Sequence, residues 1–359
     1  MCGSDMPPPA RGCERTSKRS SGPLQRAGSV AKAGVAGTPR CHAVEYNMSS
    51  LKEIKTRINS VKSTLKITSA MKMVAAAKLH KAQNAIGNKL PYEQQRRRTL
   101  AGMLQDDDLQ KALHDELGMG SHEDNSLLRL EDVPSDYLPS KSEAGRIALV
   151  LFSSNSSLCG AFNANVIREF HHTMSVLEEK GYTSADIDVY AVGRKISEAA
   201  VKKGLTVTAD LSEMADKPSY EAASELASIL VDSYVSGEIS QVILLYSHLA
   251  TAASQPVIRE NYLPLALHDL DAGAEPVDYI LEPDPLELAR ELLPMVLRLK
   301  LYTVLLDANA AEHAARTIAM QIASDNARNL IAELTLAYNK GRQQEITAEI
   351  LDLVGGTIA

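Results

Sequence analysis

The chain has 359 residues and a net charge of −7, and only 4% of its residues are aromatic, with no tryptophan. This length allows one hydrophobic core with appendages, and the negative charge argues against a protein that binds polyanions with its whole surface. No apolar run approaches the ~18–20 residues that span a bilayer, so membrane contact is expected only through partners. The four cysteines, Cys2, Cys13, Cys41 and Cys159, lack metal-like spacing and fit a reducing compartment.

Residues 1–47 are rich in arginine, serine, proline and glycine, poor in acids and without periodicity. They are predicted to be a disordered extension that contributes nothing to the fold. The composition is typical of a transit peptide, or of upstream sequence translated from too early a start. Met48 begins the first patterned segment, which favours the second alternative.

Residues 49–92 are predicted to form a long first helix. Ser49 or Ser50 can cap it, and Glu53 can complete a capping box. Its apolar residues recur at steps of three and four: Leu51, Ile54, Ile58, Val61 and Leu65. Such a stripe packs along a single partner helix.

After Lys66 this helix becomes apolar most of the way round. The residues that widen the apolar band are Ile67, Met71, Met73, Val74 and Leu79. Because one partner helix covers only one stripe, a second surface should enclose this segment. Gly87 and Pro91 indicate where the helix ends or bends.

The charge of this region is uneven. Residues 51–104 carry twelve Lys/Arg against two Glu, whereas residues 101–143 carry eleven Asp/Glu against three Lys/Arg. We interpret residues 93–144 as an exposed acidic insertion, for which a solvated loop without a role is the favoured reading. The basic helix suggests nucleic acid or an acidic protein collar as a partner. The lack of interleaved aromatic residues favours the collar.

Residues 145–284 change to the pattern of an α/β domain. Buried parallel strands are predicted at Ile147–Phe152, Asp188–Val192 and Val242–Tyr246, with further strands at Val257–Leu265 and Tyr279–Leu281. Helices are predicted near Asn163–Lys180, Lys195–Lys203 and Ser219–Ser236. The alternation of strands and helices predicts a small doubly wound, Rossmann-like domain.

Residues 285–359 are predicted to form the second long helix, which Pro294 should kink or break near its start. Its seam comprises Ala323, Ala327, Leu330, Leu334, Ala337, Gly341, Ala348 and Leu351, broken once by Gln344. A rod of roughly 70 Å cannot fold back into a compact core, so it must lie along the first helix. The predicted fold class is therefore α/β, with a long antiparallel coiled coil of the N- and C-terminal helices plus a central Rossmann-like domain.

No stretch of the sequence indicates a catalytic, cofactor-binding or metal-binding site. The segment Asn155–Asn163 follows the first strand, where a phosphate-binding loop would lie, but it has one glycine, Gly160, and no Gly-Lys-Ser/Thr follows. A structural turn is the better interpretation, with Cys159 as a buried small side chain. The histidines are scattered and no carboxylate pair stands out, so no catalytic residue, cofactor or metal is predicted.

The sequence resembles the gamma subunit of F-type ATP synthases. The N-terminal motifs lie at 48–58 and 66–75, and the C-terminal motifs at 312–320, 324–326, 334–343 and 345–347. The middle domain shares Leu158-Cys-Gly160 and Glu282-Pro-Asp-Pro285. The resemblance implies a rotating central stalk that couples proton flow through a membrane ring to ATP synthesis or hydrolysis by other subunits.

The same resemblance implies the partners and their contacts. The coiled coil, or shaft, would enter the ring of alpha and beta subunits, which forms a collar around it. The α/β domain at the foot of the shaft would bind the epsilon subunit and the membrane c-ring. By motif, Met71 would contact beta, while Arg316, Gln343 and Thr347 would contact the collar or stabilise the shaft. The chain would be peripheral on the cytoplasmic face of a bacterial inner membrane, or on an organellar membrane if residues 1–47 are a transit peptide.

Two departures and two alternatives remain. Gly341 stands where the family usually has alanine, and the regulatory cysteine pair of chloroplast members is missing after Cys41, where only Cys159 occurs. The alternatives are a coiled-coil protein that binds nucleic acid and an α/β enzyme with helical arms.

Overall fold

The computed structural model describes residues 51–103, 128–129, 145–266, 282 and 284–358. Its elements in chain order are α1 (Leu51–Met103), β1 (Leu128–Arg129), β2 (Arg146–Phe152), α2 (Phe162–Glu179), a 3-10 turn (Ser184–Asp186), β3 (Ile187–Val192), α3 (Arg194–Lys202), β4 (Val207–Asp210), α4 (Ser212–Asp216), α5 (Tyr220–Val235), β5 (Ile239–Ser247), β6 (Val257–Leu263), β7 (Leu265–Ala266) and α6 (Pro285–Ile358). The predicted extension at 1–47, the caps at Ser49 and Ser50 and the strand at Tyr279–Leu281 lie outside the described residues.

The two long helices form an antiparallel coiled coil. Thr68 of α1 hydrogen-bonds Ser324 of α6 with 2.9 Å between their hydroxyl oxygens, and Leu51 packs against Gly341. Residues nearer the start of α1 therefore contact residues nearer the C-terminus of α6. With 74 residues, α6 measures roughly 110 Å at 1.5 Å per residue.

The predicted seam of α1 is the surface that contacts α6. Ile58 is buried and its apolar neighbours are half-buried, and the stripe continues through Thr68, Ala75 and Ala82, all buried. On α6 the seam runs through the buried Ala327 to Gly341, but the half-buried Tyr338 takes the place predicted for Ala337, which is exposed. Ala348 and Leu351 are exposed, and they lie beyond Gly341, the residue that Leu51 contacts.

The predicted helix end near Pro91 and the predicted break at Pro294 are wrong, whereas a bend or kink at these positions stays a prediction. α1 continues through Gly87 and Pro91 to Met103, past the predicted end at 92, and α6 continues through Pro294. Packing explains why the helices persist despite the hydrogen bond that each proline removes. Leu100 of α1 and Leu293 and Leu297 of α6 are all fully buried in the core of the α/β domain.

The α/β domain contains a five-stranded sheet in the order β4-β3-β2-β5-β6. The first four strands are parallel, and β6 is antiparallel at the edge. The predicted strands and the three predicted helices are therefore confirmed, apart from the one beyond the described residues. The short β4 and α4 were missed, because β4 is a four-residue edge strand whose side chains alternate between half-buried and exposed.

Alternate side chains of the sheet face two separate apolar layers. Ala148, Val150 and Phe152 point toward α5 and α6, whereas Leu149 and Leu151 point toward α2 and α3. This period of two is the normal geometry of a strand covered on both faces. The first part of α6 thus belongs to the core of the domain, so the shaft and the domain share one helix.

Part of the predicted insertion joins the structure. β1 lies inside the segment that was interpreted as a loop without a role, yet it pairs in parallel with β7. Residues 93–103 of the same segment belong to α1. The rest of it lies outside the described residues.

Glycine-to-alanine substitutions in the two long helices should give different results. At Gly87 an added Cβ has no neighbour within 4 Å, so Gly87→Ala should raise the free energy of unfolding by about 0.5–1 kcal/mol through helix propensity. At Gly341 the Cβ would lie 2.9 Å from Leu51 Cδ2, so Gly341→Ala should give a smaller gain. Urea unfolding of both variants measures this difference, and an equal gain would contradict close packing at Gly341.

Candidate functional site

The C-terminal edge of the parallel strands is the usual position of a ligand in a sheet of this kind. Doubly wound sheets bind nucleotides in the crevice outside these strand ends. Here α6 crosses that edge, and Asn309 Nδ2 donates a hydrogen bond of 2.8 Å to the Ala215 carbonyl oxygen. Beside Phe152, Ser153 and Glu312 a cavity of only about 10 Å³ remains, room for about one water molecule. An open groove of about 440 Å³ lies at the same edge, between the turn after β2 and the loop after β5. The chain's own helix therefore fills the crevice beside Phe152 and forms one wall of the open groove.

The loop that follows β2 is built as a packed turn. Cys159 is buried, and Asn163 Nδ2 lies 3.1 Å from its Sγ and donates to Ser154 Oγ at 2.8 Å. Gly160 has a positive φ of 62°, as a tight turn requires. These contacts agree with the interpretation of Asn155–Asn163 as a turn.

The turn after β3 presses against the same loop. Gly193 has φ +118°, and a Cβ built on it would lie 2.3 Å from the Ser153 carbonyl oxygen. Ser153 Oγ accepts a hydrogen bond from the Ile196 N–H at 3.0 Å. The first two βα turns are thus fixed to each other at the edge that α6 covers.

Arg316 joins α6 to this edge. Its guanidinium lies 2.8 Å from Glu312 Oε1 and donates to Ser156 Oγ, also at 2.8 Å. The side chain is only 13% exposed. Within this chain Arg316 therefore stabilises the junction between the shaft and the α/β domain.

The other three predicted contact residues lie elsewhere on the shaft. Gln343 and Thr347 are exposed near the end of α6, where Thr347 Oγ1 donates to the Gln343 carbonyl oxygen at 2.8 Å. Met71 is half-buried on α1. Because Gln343 lies 27 residues beyond Arg316 on one helix, roughly 40 Å separates them, and the four residues do not form one cluster.

The outer surface of the coiled coil is apolar where the sequence predicts an enclosing surface. Ile67, Met73 and Val74 are 58–68% exposed, although they lie in the middle of α1. Near the end of α6 a further apolar group is exposed: Ile346, Ile350, Leu351, Leu353 and Val354. Apart from Leu351, which was predicted in the seam, sequence reasoning missed this second group, although its spacing at 346, 350 and 353 marks one face of a helix.

The junction also buries a histidine. His313 of α6 is 5% exposed, and its Nδ1 has no hydrogen-bond partner among the described residues. Burial, reinforced by the positive charges of Lys78 and Arg316, lowers the pKa of His313 from 6.5 to about 4. Burial also raises the pKa of Glu312, against the opposing effect of Arg316.

Two other classes of site find no support among the described residues. In residues 51–103, 145–266 and 284–358, no group of histidine, cysteine, aspartate and glutamate side chains is arranged to hold a metal ion. None of the described helices combines the length and apolarity of a membrane span. The features that remain are a long shaft with exposed apolar bands and a domain whose sheet edge is partly covered by that shaft.

Fold and surface together define a shaft protein, in which an α/β domain carries an antiparallel pair of helices. A family model described as ATP synthase matches residues 50–359. The ATP synthase gamma chain of Phocaeicola vulgatus is 48% identical over 316 residues, covering 87% of this chain and all of that one. The gamma chain of Christiangramia forsetii is 37% identical, with 87% and 99% covered. The chain belongs to the ATP synthase gamma chain family.

A solved structure agrees on the fold. It is a chain of the mitochondrial ATP synthase of Euglena gracilis, determined as an assembly of OSCP, F1 and c-ring. The TM-score is 0.52 at 19% sequence identity, and the match covers 86% of this chain and 94% of that one. The fold class and the family resemblance drawn from the sequence are therefore confirmed.

The pKa of His313 predicts a stability that depends on pH. The unfolded chain binds a proton at His313 near pH 6.5, but the folded chain does so only near pH 4. The free energy of unfolding should therefore fall by up to about 3 kcal/mol as the pH falls through this window. Urea unfolding from pH 8 to pH 4 should show that the free energy of unfolding of His313→Gln depends less on pH than that of the parent. Comparison at pH 8 gives the packing cost of the substitution, and parallel curves would contradict the prediction.

The contact at Gly193 predicts a severe effect of one methyl group. Gly193→Ala adds an atom where the Ser153 carbonyl lies and forces alanine to a positive φ, so it should cost about 3 kcal/mol or more. Gly204 is the matched control, because it has φ +86° but open space around its Cβ. Gly204→Ala should cost only about 1–2 kcal/mol of backbone strain. Equal losses on urea unfolding would show that strain, not the contact, dominates at Gly193.

Proposed function

We propose that this chain is the rotating central stalk of a proton-transporting F-type ATP synthase. It would couple rotation of a membrane c-ring to ATP synthesis or hydrolysis at catalytic sites on alpha and beta subunits. The observation that carries the proposal is the exposed apolar surface along a two-helix shaft in a member of the gamma chain family.

The exposed apolar surface needs a partner that encloses the shaft. Ile67, Met73 and Val74 lie on the side of α1 away from its seam, so α6 cannot cover them. Burial in a collar of alpha and beta subunits would remove them from water at about 25 cal/mol per Å². Rotation requires that no single position of the shaft be bound too tightly, and apolar contacts without fixed direction suit that need.

Coupling also needs a shaft that presents different surfaces to different subunits. Between the α/β domain and Gly341, the described residues give the shaft a cross-section of two different helices, which is not rotationally symmetric. A beta subunit therefore meets a different face at each orientation of the shaft. Such differential contact is what shifts a conformational equilibrium, since equal contacts with every state would shift nothing.

The proposal assigns no bond-making chemistry to this chain. The sheet edge beside Phe152 is covered by α6, which supports a structural role for the α/β domain. The domain would form the foot of the stalk and bind the epsilon subunit and the c-ring. The chain would then be peripheral to an energy-coupling membrane, on the cytoplasmic face in a bacterium.

Isolation of the chain from native membranes tests the proposal. A tagged chain should co-purify with alpha, beta and epsilon subunits and with an ATPase activity that drives proton pumping. Binding to nucleic acid that weakens steeply with salt, without an ATPase, would instead support the nucleic-acid alternative. Turnover by the isolated chain would support the enzyme alternative.

A charge on the enclosed face of α1 should impair coupling more than folding. Met71→Lys places an ammonium group where the proposal puts an apolar collar, so proton-driven ATP synthesis should fall by about tenfold while assembly is retained. Asn88→Lys adds the same charge to an exposed polar position of α1 nearer the α/β domain and should leave synthesis near the parent rate. Unchanged synthesis in assembled Met71→Lys enzyme would refute the collar contact.

A further inference from the structure

A single cation interrupts the apolar middle of α1. Eleven residues separate Lys66 from Lys78, and Lys72 is the only charged residue among them. Lys66 and Lys78 are exposed, whereas Lys72 is half-buried. The same segment carries three exposed apolar residues, which we call the α1 band: Ile67, Met73 and Val74. The placement of the Lys72 charge therefore decides whether this part of the shaft surface is charged.

Lys72 occupies a position of the seam, where α1 contacts α6. It lies four residues after Thr68 and three before Ala75, and both of these are buried. These steps place its Cβ on the contact face of the helix. One turn away, Thr68 hydrogen-bonds Ser324 of α6 with 2.9 Å between the hydroxyl oxygens. The stem of Lys72 thus starts next to α6.

The ammonium group of Lys72 is bound by α6. Lys72 Nζ donates a hydrogen bond to Gln321 Oε1. Asp325 orients the Gln321 amide, because Gln321 Nε2 donates to Asp325 Oδ2 at 2.6 Å. Arg328 Nη1 lies 2.6 Å from the other carboxylate oxygen, Asp325 Oδ1. With its NH2 group held in this way, Gln321 presents its carbonyl oxygen to the lysine.

Without these acceptors the lysine would place its charge elsewhere. Lysine side chains extend their ammonium group to water along apolar surface. Met71 and Met73 lie about 100° to either side of Lys72 around the helix, so a released ammonium would reach water beside one of them. An ammonium group that apolar surfaces then enclose is strongly destabilising, because it loses its water without gaining a partner.

We propose that Gln321 and Asp325 hold the Lys72 ammonium against α6 and so keep the α1 band uncharged where the collar encloses it. The inference rests on the proposed stalk function, because only an enclosing partner requires an uncharged band. Gln321 and Asp325 are positioning residues in this role. A hydrogen bond inside the shaft thus determines the surface that the shaft presents to other subunits.

The first test releases the lysine and then removes it. Gln321→Leu/Asp325→Asn takes away the acceptors of Lys72, so proton-driven ATP synthesis by the assembled enzyme should fall by about threefold. Addition of Lys72→Met removes the released charge and should return synthesis to near the parent rate. Lys72→Met alone should also be near the parent rate. A loss in Lys72→Met alone, or no rescue in the triple variant, would overturn the proposal, because a purely structural network is not restored by removing a further member.

A matched control accounts for the charge that Asp325→Asn removes. Glu333→Gln takes one negative charge from an exposed position of the same helix and should synthesise ATP like the parent. A loss equal to that of Gln321→Leu/Asp325→Asn would assign the effect to the net charge of α6 and contradict the proposal.

Amine labelling of the full chain tests the position of the ammonium group without the other subunits. With limiting reagent and peptide mass spectrometry, Lys72 should react at least about fivefold more slowly than the exposed Lys66 and Lys78. In Gln321→Leu/Asp325→Asn this difference should disappear. Equal reactivity of the three lysines in the parent would overturn the inference, even where the double variant does not assemble.

The inference and the proposed function fail on different results. A freely reactive Lys72 in a chain that co-purifies with an ATPase head would contradict the inference alone. A protected Lys72 in a chain that does not co-purify with an ATPase head would overturn the stalk function, and with it the purpose inferred for the hydrogen bond.

Discussion

The structure depends on the pairing of α1 with α6. Neither helix can bury its apolar stripe alone, and most helical stability in proteins comes from packing of such a face. Once they pair, the two ends of the described chain lie side by side, and the α/β domain between them must sit at one end of the pair. The first turns of α6 pack in the core of the α/β domain, and its later turns leave the domain and pair with α1. The sheet is therefore covered on one face by the same helix that forms the shaft.

Much of this arrangement was predictable because it follows from the local spacing of apolar residues. The stripes at Leu51–Leu65 and Ala323–Gly341 predict the coil, and the apolar runs of β2, β3 and β5 predict parallel strands. The family resemblance, carried by motifs at both ends of the chain, predicted the gamma chain family that the comparisons confirm. Even the need for an enclosing surface followed from the apolar positions beyond Lys66.

What could not be predicted depends on contacts between distant segments. Pro91 and Pro294 indicate helix ends by local rules, but burial of Leu100 and Leu297 in the domain core keeps both helices continuous. Arg316 was expected to contact a partner or stabilise the shaft, and one of its two contacts within the chain, Ser156, is 160 positions away. Glu93, Glu260 and Lys300 line one cavity but come from three different elements, so no window of sequence contains the group.

The crossing of the strand ends by α6 has a consequence for how the domain keeps its integrity. A Rossmann-like sheet usually reserves that crevice for a diffusible molecule, whose release leaves the protein intact. Here the occupant is covalently attached and always present at high effective concentration, so it acts as a permanent internal ligand. Pulling the helix away would open the hydrophobic core itself, because Leu293, Leu297 and Leu301 of α6 belong to that core.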